Sequence, residues 1–250
     1  MKLKIATWNM AYWSHKNYLE EAWDYFLNLD VDIFLFQEAK CPKILEGDRN
    51  FIWHPAGKTN GRKDWGSGIY SKNYQLTEEP KTSIPEWNRD RFKELCIVAN
   101  AKVHDKNLTF ISLYGRMDKI GHIGYSIPNL HRIFSDLTGI LKGHINGKRN
   151  IVLAGDLNAS IQFDQHYGGE SHRIFFERLR DFGLENCFEL NGNKDFIQTL
   201  RFPKSKISWQ NDYFFISKSI SKNFKNCEVV DTEETRKHSD HNPVIITLEI

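Results

Sequence analysis

Cysteine is scarce in this chain and poorly spaced for chemistry. The 250 residues hold four, at positions 41, 96, 187 and 227. No two stand close enough for a CxxC ligand pair, which excludes a zinc ribbon. Four in a chain of this length is also too sparse for a disulfide-stapled secreted domain, so reduced, buried thiols are expected. A surplus of charge is equally missing. The 34 Lys and Arg against 32 Asp and Glu leave a formal +2, which excludes a histone-like protein held to polyanions by bulk charge and leaves room for a local basic face. No stretch approaches the ~20 apolar residues of a membrane span. The opening MKLKIATWNM reaches polar Ser14 and His15 before an apolar signal-peptide core of about 7–15 residues can form. The expectation is a cytoplasmic monomer with no membrane partner. Linkers, low-complexity runs and repeats are absent too, so one domain over residues 1–250 is the simplest organisation.

Aromatic residues are abundant. Seventeen Phe, 9 Tyr and 7 Trp make up 13% of the chain; such rings fill cores, and they also stack on bases and sugars. Lys2 to Trp8 alternates as a strand, Asn17 to Leu29 has helical apolar spacing, and Val31 to Phe36 is a short β-rich run. This strand–helix–strand start points to α/β layering. Short strands are expected near 51–53, 68–70, 95–103 and 108–113, the last two joined by a turn at His104-Asp105-Lys106-Asn107. A helix fits Asn129 to Ile145, a buried strand 150–154, and a second helix Arg173 to Phe182 closed by Gly183; strands follow near 196–201, 213–217, 227–230 and 244–250. Many strands with helices placed early, centrally and late suggest two packed sheets with helices outside.

Chemistry shows where polar residues leave apolar strands. These are Asn9 after Trp8, Glu38 after Phe36-Gln37, Asp156 and Asn158 in Gly155-Asp156-Leu157-Asn158, Asp212 in Asn211-Asp212-Tyr213, and Asp240-His241 before Asn242-Pro243. Singly, each fits a cap or a tight turn. Together they form an oxygen-rich set suited to a hard cation such as Mg²⁺ or Mn²⁺, with Glu38, Asp240 and Asn9 as ligands. Hydrolysis of a phosphodiester needs charge neutralisation, an activated water and a stabilised leaving oxygen. Asp156 suits the water, His241 a phosphate oxygen, Asp212 the tautomer of that imidazole, and Asn158 the nucleophile or phosphate.

The ordered set Trp8-Asn9, Gln37-Glu38, Gly66-Ser67-Gly68-Ile69-Tyr70-Ser71-Lys72, Tyr114, Gly155-Asp156-Leu157-Asn158, Asn211-Asp212-Tyr213 and Ser239-Asp240-His241 resembles the endonuclease/exonuclease/phosphatase superfamily. That superfamily includes exonuclease III-like abasic-site endonucleases and DNase I-like enzymes. The resemblance implies an α/β fold, a four-layer α/β/β/α sandwich of two mixed sheets flanked by helices, with the site at one end. It implies Glu38 as principal metal ligand with Asn9 and Asp240, Asp156 for the nucleophilic water, Asn158 and Tyr114 near the phosphate, and an Asp212–His241 pair.

Within the superfamily, Tyr114 continues as Gly115-Arg116-Met117-Asp118, unlike the Pro/Asn segment of the abasic-site branch, and Arg116 is a candidate phosphate contact. Trp209 stands three residues before Asp212, as an aromatic does in that branch, but Leu200 and Asn211 depart from its pattern. Residues 194–225 carry seven basic residues (Lys194, Arg201, Lys204, Lys206, Lys218, Lys222, Lys225) and two acidic ones, and a second loop sets Lys58, Arg62 and Lys63 beside Trp65. Basic residues mixed with Trp suit a groove that tracks a phosphate backbone. Trp65, Arg116 and Trp209 are therefore candidate substrate contacts. A Mg²⁺-dependent nuclease acting on DNA rather than RNA is expected. The alternative is a phosphatase or phosphodiesterase for a small substrate such as an inositol phosphate, lipid head group or nucleotide-linked adduct.

Overall fold

The computed structural model describes residues 1–12, 19–56, 65–80, 94–120, 123–145 and 149–250. In chain order, β1 (Lys2–Asn9) leads to α1 (Leu19–Asn28) and β2 (Ile33–Ala39). There follow β3 (Phe51–Pro55), β4 (Gly66–Ser71), β5 (Thr77–Glu78), β6 (Cys96–Val103), β7 (Lys106–Leu113) and a small hairpin of β8 (Asp118–Ile120) and β9 (Ile123–Tyr125). Next come α2 (Ile127–Asp136), α3 (Thr138–Ile145), β10 (Asn150–Asp156), α4 (Ile161–Tyr167) and α5 (Ser171–Asp181). The chain closes with β11 (Leu184–Asn186), α6 (Cys187–Leu190), β12 (Asp212–Ser217), β13 (Phe224–Val229), α7 (Glu233–His238) and β14 (Val244–Glu249).

Two six-stranded mixed sheets pack face to face, in the orders β13-β14-β1-β2-β4-β3 and β11-β12-β10-β7-β6-β5. Alternation along β1 and β2 makes both faces of the first sheet apolar. Leu3, Ile5, Ile33 and Leu35 enter the core between the sheets, with Phe110, Val152 and Phe214 from the second sheet. Ala6, Trp8, Phe34 and Phe36 point the other way, against Ala22, Trp23 and Phe26 of α1. On the far side α3 packs on β10 and α5 on β11, completing the expected α/β/β/α sandwich. Towards one end the core turns polar. Gln37 Nε2 donates to Ser112 Oγ across the sheets at 3.0 Å and to Thr7 Oγ1 at 3.3 Å, all three side chains buried.

The strand directions explain why polar residues gather at that end. β1 runs parallel to β2, and β10 parallel to β7, so Asn9, Glu38, Asp156 and Tyr114 all stand at carboxyl ends. β12 is antiparallel to β10 with Asp212 opposite Asp156, and β14 is antiparallel to β1 with Val244 opposite Thr7. Asp212, and the Asp240-His241 turn before β14, are therefore delivered to the same end from amino termini.

Local departures from expectation have local causes. The helix expected over 129–145 is two helices interrupted at Leu137. Around the break Ser135 Oγ donates to the His131 carbonyl at 2.7 Å and Thr138 Oγ1 to the Ser135 carbonyl at 2.6 Å, hydroxyl back-bonding that bends helices. The β6–β7 turn is only His104-Asp105, because Val103 already pairs with Lys106 and His104 takes a φ of +53°. Residues 196–201 are no strand. They form an irregular extended connection whose Thr199 and Leu200 N–H groups both donate to the Trp209 carbonyl, and whose Arg201 N–H donates to the Asp240 carbonyl. The start expected for α1 at Asn17, and Lys58, Arg62 and Lys63, lie outside the described residues. All four cysteines are free, with Cys96, Cys187 and Cys227 buried. Burial pushes the Cys96 and Cys227 thiols up to about 12, which keeps them unreactive. Among the described residues no helix is long and apolar enough to cross a membrane.

Candidate active site

Strict alternation along β2 would aim Glu38 outward with Phe34 and Phe36, away from Asn9. It does not point there. The pairing of β2 with β4 shifts register between Phe36 and Ala39, and Glu38 adopts a φ of +47°. A β-bulge of this kind re-aims a side chain, and the left-handed conformation costs a non-glycine residue about 1–2 kcal/mol. Of the four non-glycine residues with positive φ among the described residues, three (Ala11, Glu38 and Asn158) sit at this end of the sandwich. That is the distribution expected when strain is held at a working site.

Two layers of side chains result. The floor is Asn9, Asp156, Asp212 and His241, all buried; Glu38, Asn158 and Asp240 are partly open. Asn9 Nδ2 bridges the two sheets, donating to Asp156 Oδ2 at 2.8 Å and to Glu38 Oε1 at 3.2 Å, while its oxygen accepts the Ala11 N–H at 2.9 Å. Tyr114 OH also donates to Glu38 Oε1. Asn158 holds Asp156 twice, through its backbone N–H at 2.8 Å and its side-chain amide at 3.0 Å. His241 Nδ1 donates to Asp212 Oδ2 at 2.8 Å, leaving Nε2 at 3.9 Å from Asp156 Oδ2. All eight residues expected to carry the chemistry thus come to one end of the molecule.

Burial and neighbouring charge set the protonation states. Burial raises the Asp156 carboxyl to about 7 against the pull of the His241 charge. Burial alone would lower the His241 imidazole, but Asp212 and Asp156 outweigh it and hold it up at about 10. Glu38 is raised by burial, offset in part by the hydrogen bond from Tyr114. Burial keeps the Tyr114 phenol well above 10, and so a donor.

The residues fit a hard divalent cation. Four carboxylates (Glu38, Asp156, Asp212, Asp240) face one imidazole, an excess of negative charge that a cation neutralises. Asp212 Oδ1 is buried with no hydrogen-bond partner. The closest ligand-atom group among the described residues is Asp156, Asp212 and His241, within 4.8 Å of one another. It differs from the expected trio of Asn9, Glu38 and Asp240, and its internal ion pair already satisfies one Asp212 oxygen.

Three candidate substrate contacts are placed otherwise than expected. Trp65 and Trp209 are only 3% and 4% exposed. Trp65 packs edge-on against Tyr114 with centroids 5.8 Å apart, and Trp209 stacks on Phe163 at 4.5 Å. Both rings are therefore wall, not open face. Arg116 Nη1 is ion-paired at 3.0 Å with buried Glu94, so its charge has a structural partner. The basic segment 194–225 divides as well. β12 carries the chain from Asp212 at the site to Ser217 at the opposite end, roughly 20 Å for six residues. Lys218, Lys222 and Lys225 therefore lie away from the site. Arg201 ties Asn242, the Ser239 carbonyl and Asp231 together. Lys204 and Lys206 remain exposed on the site side.

Two supporting residues stand outside the expected site set, Thr199 in no motif and Ser239 only as the lead of Ser239-Asp240-His241. Thr199 Oγ1, fully buried, accepts both the Asn211 N–H at 2.9 Å and the Asp212 N–H at 3.0 Å. Ser239 Oγ donates to the Asn9 carbonyl at 2.7 Å and accepts the His241 N–H at 2.9 Å. Neither hydroxyl reveals its role in sequence: the Thr199 partners lie 12 and 13 residues on, and Ser239 joins His241, two residues away, to Asn9, 230 residues away.

This fold and site define a phosphoesterase of the α/β/β/α sandwich type. The model of the Endonuclease/Exonuclease/phosphatase family matches residues 6–225, and the chain belongs to that family. Among solved structures, the 3'-5' exonuclease (NExo) of Neisseria meningitidis is similar over 99% of this chain and 100% of its own, at 20% identity and a TM-score of 0.70. An AP endonuclease from Archaeoglobus fulgidus is similar over 99% of this chain and 100% of its own, at 16% identity and a TM-score of 0.66. A humanized D. rerio TDP2 is similar over 100% and 99% respectively, at 13% identity and a TM-score of 0.61. No curated protein sequence matches the chain. The family is one of hydrolytic phosphoesterases, and this chain is an enzyme of that kind.

Proposed function

We propose that the protein is a Mg²⁺-dependent phosphodiesterase that hydrolyses DNA by direct attack of water, with Mn²⁺ able to substitute. The observation that carries this is the convergence of four carboxylates with a single charged imidazole at one end of the sandwich. That set neutralises a cation and a phosphate together, and its imidazole, held protonated, carries no free lone pair to attack with. Glu38, Asp240 and the Asn9 side-chain oxygen would hold the cation, which would supply charge neutralisation at the phosphate.

The chain's own residues do the rest. Asp156, raised to about 7, is poised to take a proton from the attacking water at neutral pH. Asn158 and Asn9 fix its oxygens, and hence the line of attack. His241, kept as imidazolium near neutral pH, donates from Nε2 to a non-bridging phosphate oxygen as charge builds there. Asp212 holds the opposite ring nitrogen and the ring's orientation. Tyr114 presents its phenol beside Glu38 on the same rim. DNA as substrate is supported by the exonuclease and AP endonuclease among the structural neighbours and by Lys204 and Lys206 beside the site. The test is a cleavage panel of supercoiled plasmid, single strands, abasic duplex, RNA and inositol phosphates, each with Mg²⁺, Mn²⁺ or EDTA. Metal-dependent cleavage of DNA is expected. Turnover of inositol phosphates with DNA left intact overturns the proposal in favour of a small-substrate phosphatase.

A further inference from the structure

The buried ring of Trp209 belongs to a larger arrangement. Phe163 stacks on it at 4.5 Å with 13° between planes, and Tyr167 lies 6.4 Å from it at 8°. Phe163 and Tyr167, one helical turn apart on α4, are 6.2 Å apart at 16°. Three aromatic rings therefore stand in nearly parallel planes. Exposure rises across them from Trp209 at 4%, through half-buried Phe163, to Tyr167 at 72%. The core has no use for Tyr167. Gly168 and Gly169, with φ of +80° and +104°, follow directly, and the His166 ring stands edge-on to Tyr167 at 4.6 Å and 82°, leaving the tyrosine largely exposed.

This ridge is rigidly tied to the catalytic loops. Ser160, two residues beyond Asn158, caps α4 by accepting the Gln162 N–H at 3.3 Å. Gln162 then clamps the strand that enters Asp212: its Oε1 accepts the Gln210 N–H and its Nε2 donates to the Ser208 carbonyl, both at 2.9 Å. Asp164 accepts the Arg173 N–H at 2.7 Å, fixing α4 to α5. Trp209 Nε1 donates to Ser205 Oγ at 3.0 Å, which sets the exposed Lys204 and Lys206 on either side of that contact. A seven-residue helix is roughly 10 Å long, about three base steps at ~3.4 Å each. An exposed aromatic ring beside Trp209, whose Ser205 partner is flanked by two exposed lysines, on a helix capped two residues beyond the site's Asn158, has the chemistry of a base-stacking platform.

We propose that α4 presents Tyr167, backed by Phe163 and Trp209, as a stacking platform for an unpaired nucleobase of the DNA strand being cleaved. Tyr167 is a positioning residue: it touches a base, not the reacting phosphate. The inference rests on the nuclease function proposed above.

The test uses the full-length protein with Mg²⁺ and two substrates of equal length, a single-stranded oligonucleotide and a strand of base-free abasic units. KM for wild type is expected to be about 5- to 150-fold lower on the base-bearing strand, the range of one base–aromatic stack. Tyr167→Ala should erase that advantage, with kcat changed less than about twofold, while KM on the base-free strand stays the same. Tyr167→Phe should keep it, because the ring remains. Tyr167 is exposed, so both variants should fold, and an unchanged melting temperature checks this. An unchanged KM in Tyr167→Ala, or an equal loss on both strands, overturns the platform and leaves the nuclease function standing. Hydrolysis of neither strand by wild type while duplex DNA is cut overturns the platform for an unpaired base, and cleavage of no DNA of any form overturns the nuclease function itself.

Discussion

Thr199→Val isolates one hydroxyl on which the geometry of the site depends. Thr199 Oγ1 is fully buried and is the acceptor for two backbone donors, the N–H groups of Asn211 and Asp212. Valine keeps the shape and removes the acceptor, so both N–H groups are left unpaired in a dry environment. A buried donor without a partner costs about 1–3 kcal/mol, so two give about 2–6 kcal/mol, with partial relaxation at the low end. With a urea dependence near 3 kcal/mol per molar for a chain of this size, the unfolding midpoint should fall by about 1 M. Thr199→Ser keeps the oxygen and should cost less than about 1 kcal/mol. The same pair of variants reads out function. Asp212 enters β12 from those two N–H groups and orients His241 at 2.8 Å. Thr199→Val should therefore lower kcat with little change in KM, and Thr199→Ser should restore it. A midpoint for Thr199→Val within about 0.2 M of wild type would refute the assignment of those hydrogen bonds.

Other expectations concern the site and its support. Asp156→Ala and His241→Ala should each reduce cleavage at least about 100-fold with melting behaviour preserved; near-wild-type rates in both would remove the site assignment. Asp212→Asn should lose less than His241→Ala, because Asp212 orients the imidazole and does not reach the phosphate, and comparing the two rates checks this. Stabilisation by Mg²⁺ should grow with pH. Asp156 and Glu38 have raised pKa values in the folded, metal-free protein, so the proton-linked stability they contribute is complete below the ordinary carboxylate range near 4 and is lost as pH rises, through about 7 for Asp156. A cation replaces those protons, so the gain in melting temperature on adding Mg²⁺ should increase between about pH 4 and 7; a gain independent of pH contradicts this. Gly155→Ala should cost about 3 kcal/mol or more. An added Cβ would lie 1.9 Å from the Leu113 carbonyl oxygen at a φ of +146°, and an unchanged melting temperature would show that β7 and β10 can separate there.

The chain order of residue types determined a good deal of this protein by itself. Alternation along β1 and continuous apolar runs along β2, β7 and β10 mark which segments become strands of the core. Asn9, Glu38, Asp156, Asp212 and His241 are legible because each interrupts such a run at its end, where a polar group that stays buried must be held by partners that offset its desolvation. Contacts between distant segments are what the tertiary structure decided. Glu38 reaches Asn9 only because a bulge breaks the alternation that would have turned it outward. Trp209 and Arg116, open candidates by composition, are closed by Phe163 and Glu94, partners that lie 46 and 22 residues away. Local spacing encodes the face a side chain occupies, and burial depends on what the rest of the chain places over that face. The same packing that covers Trp209 leaves Tyr167 bare, and no periodicity in the sequence distinguishes the two rings.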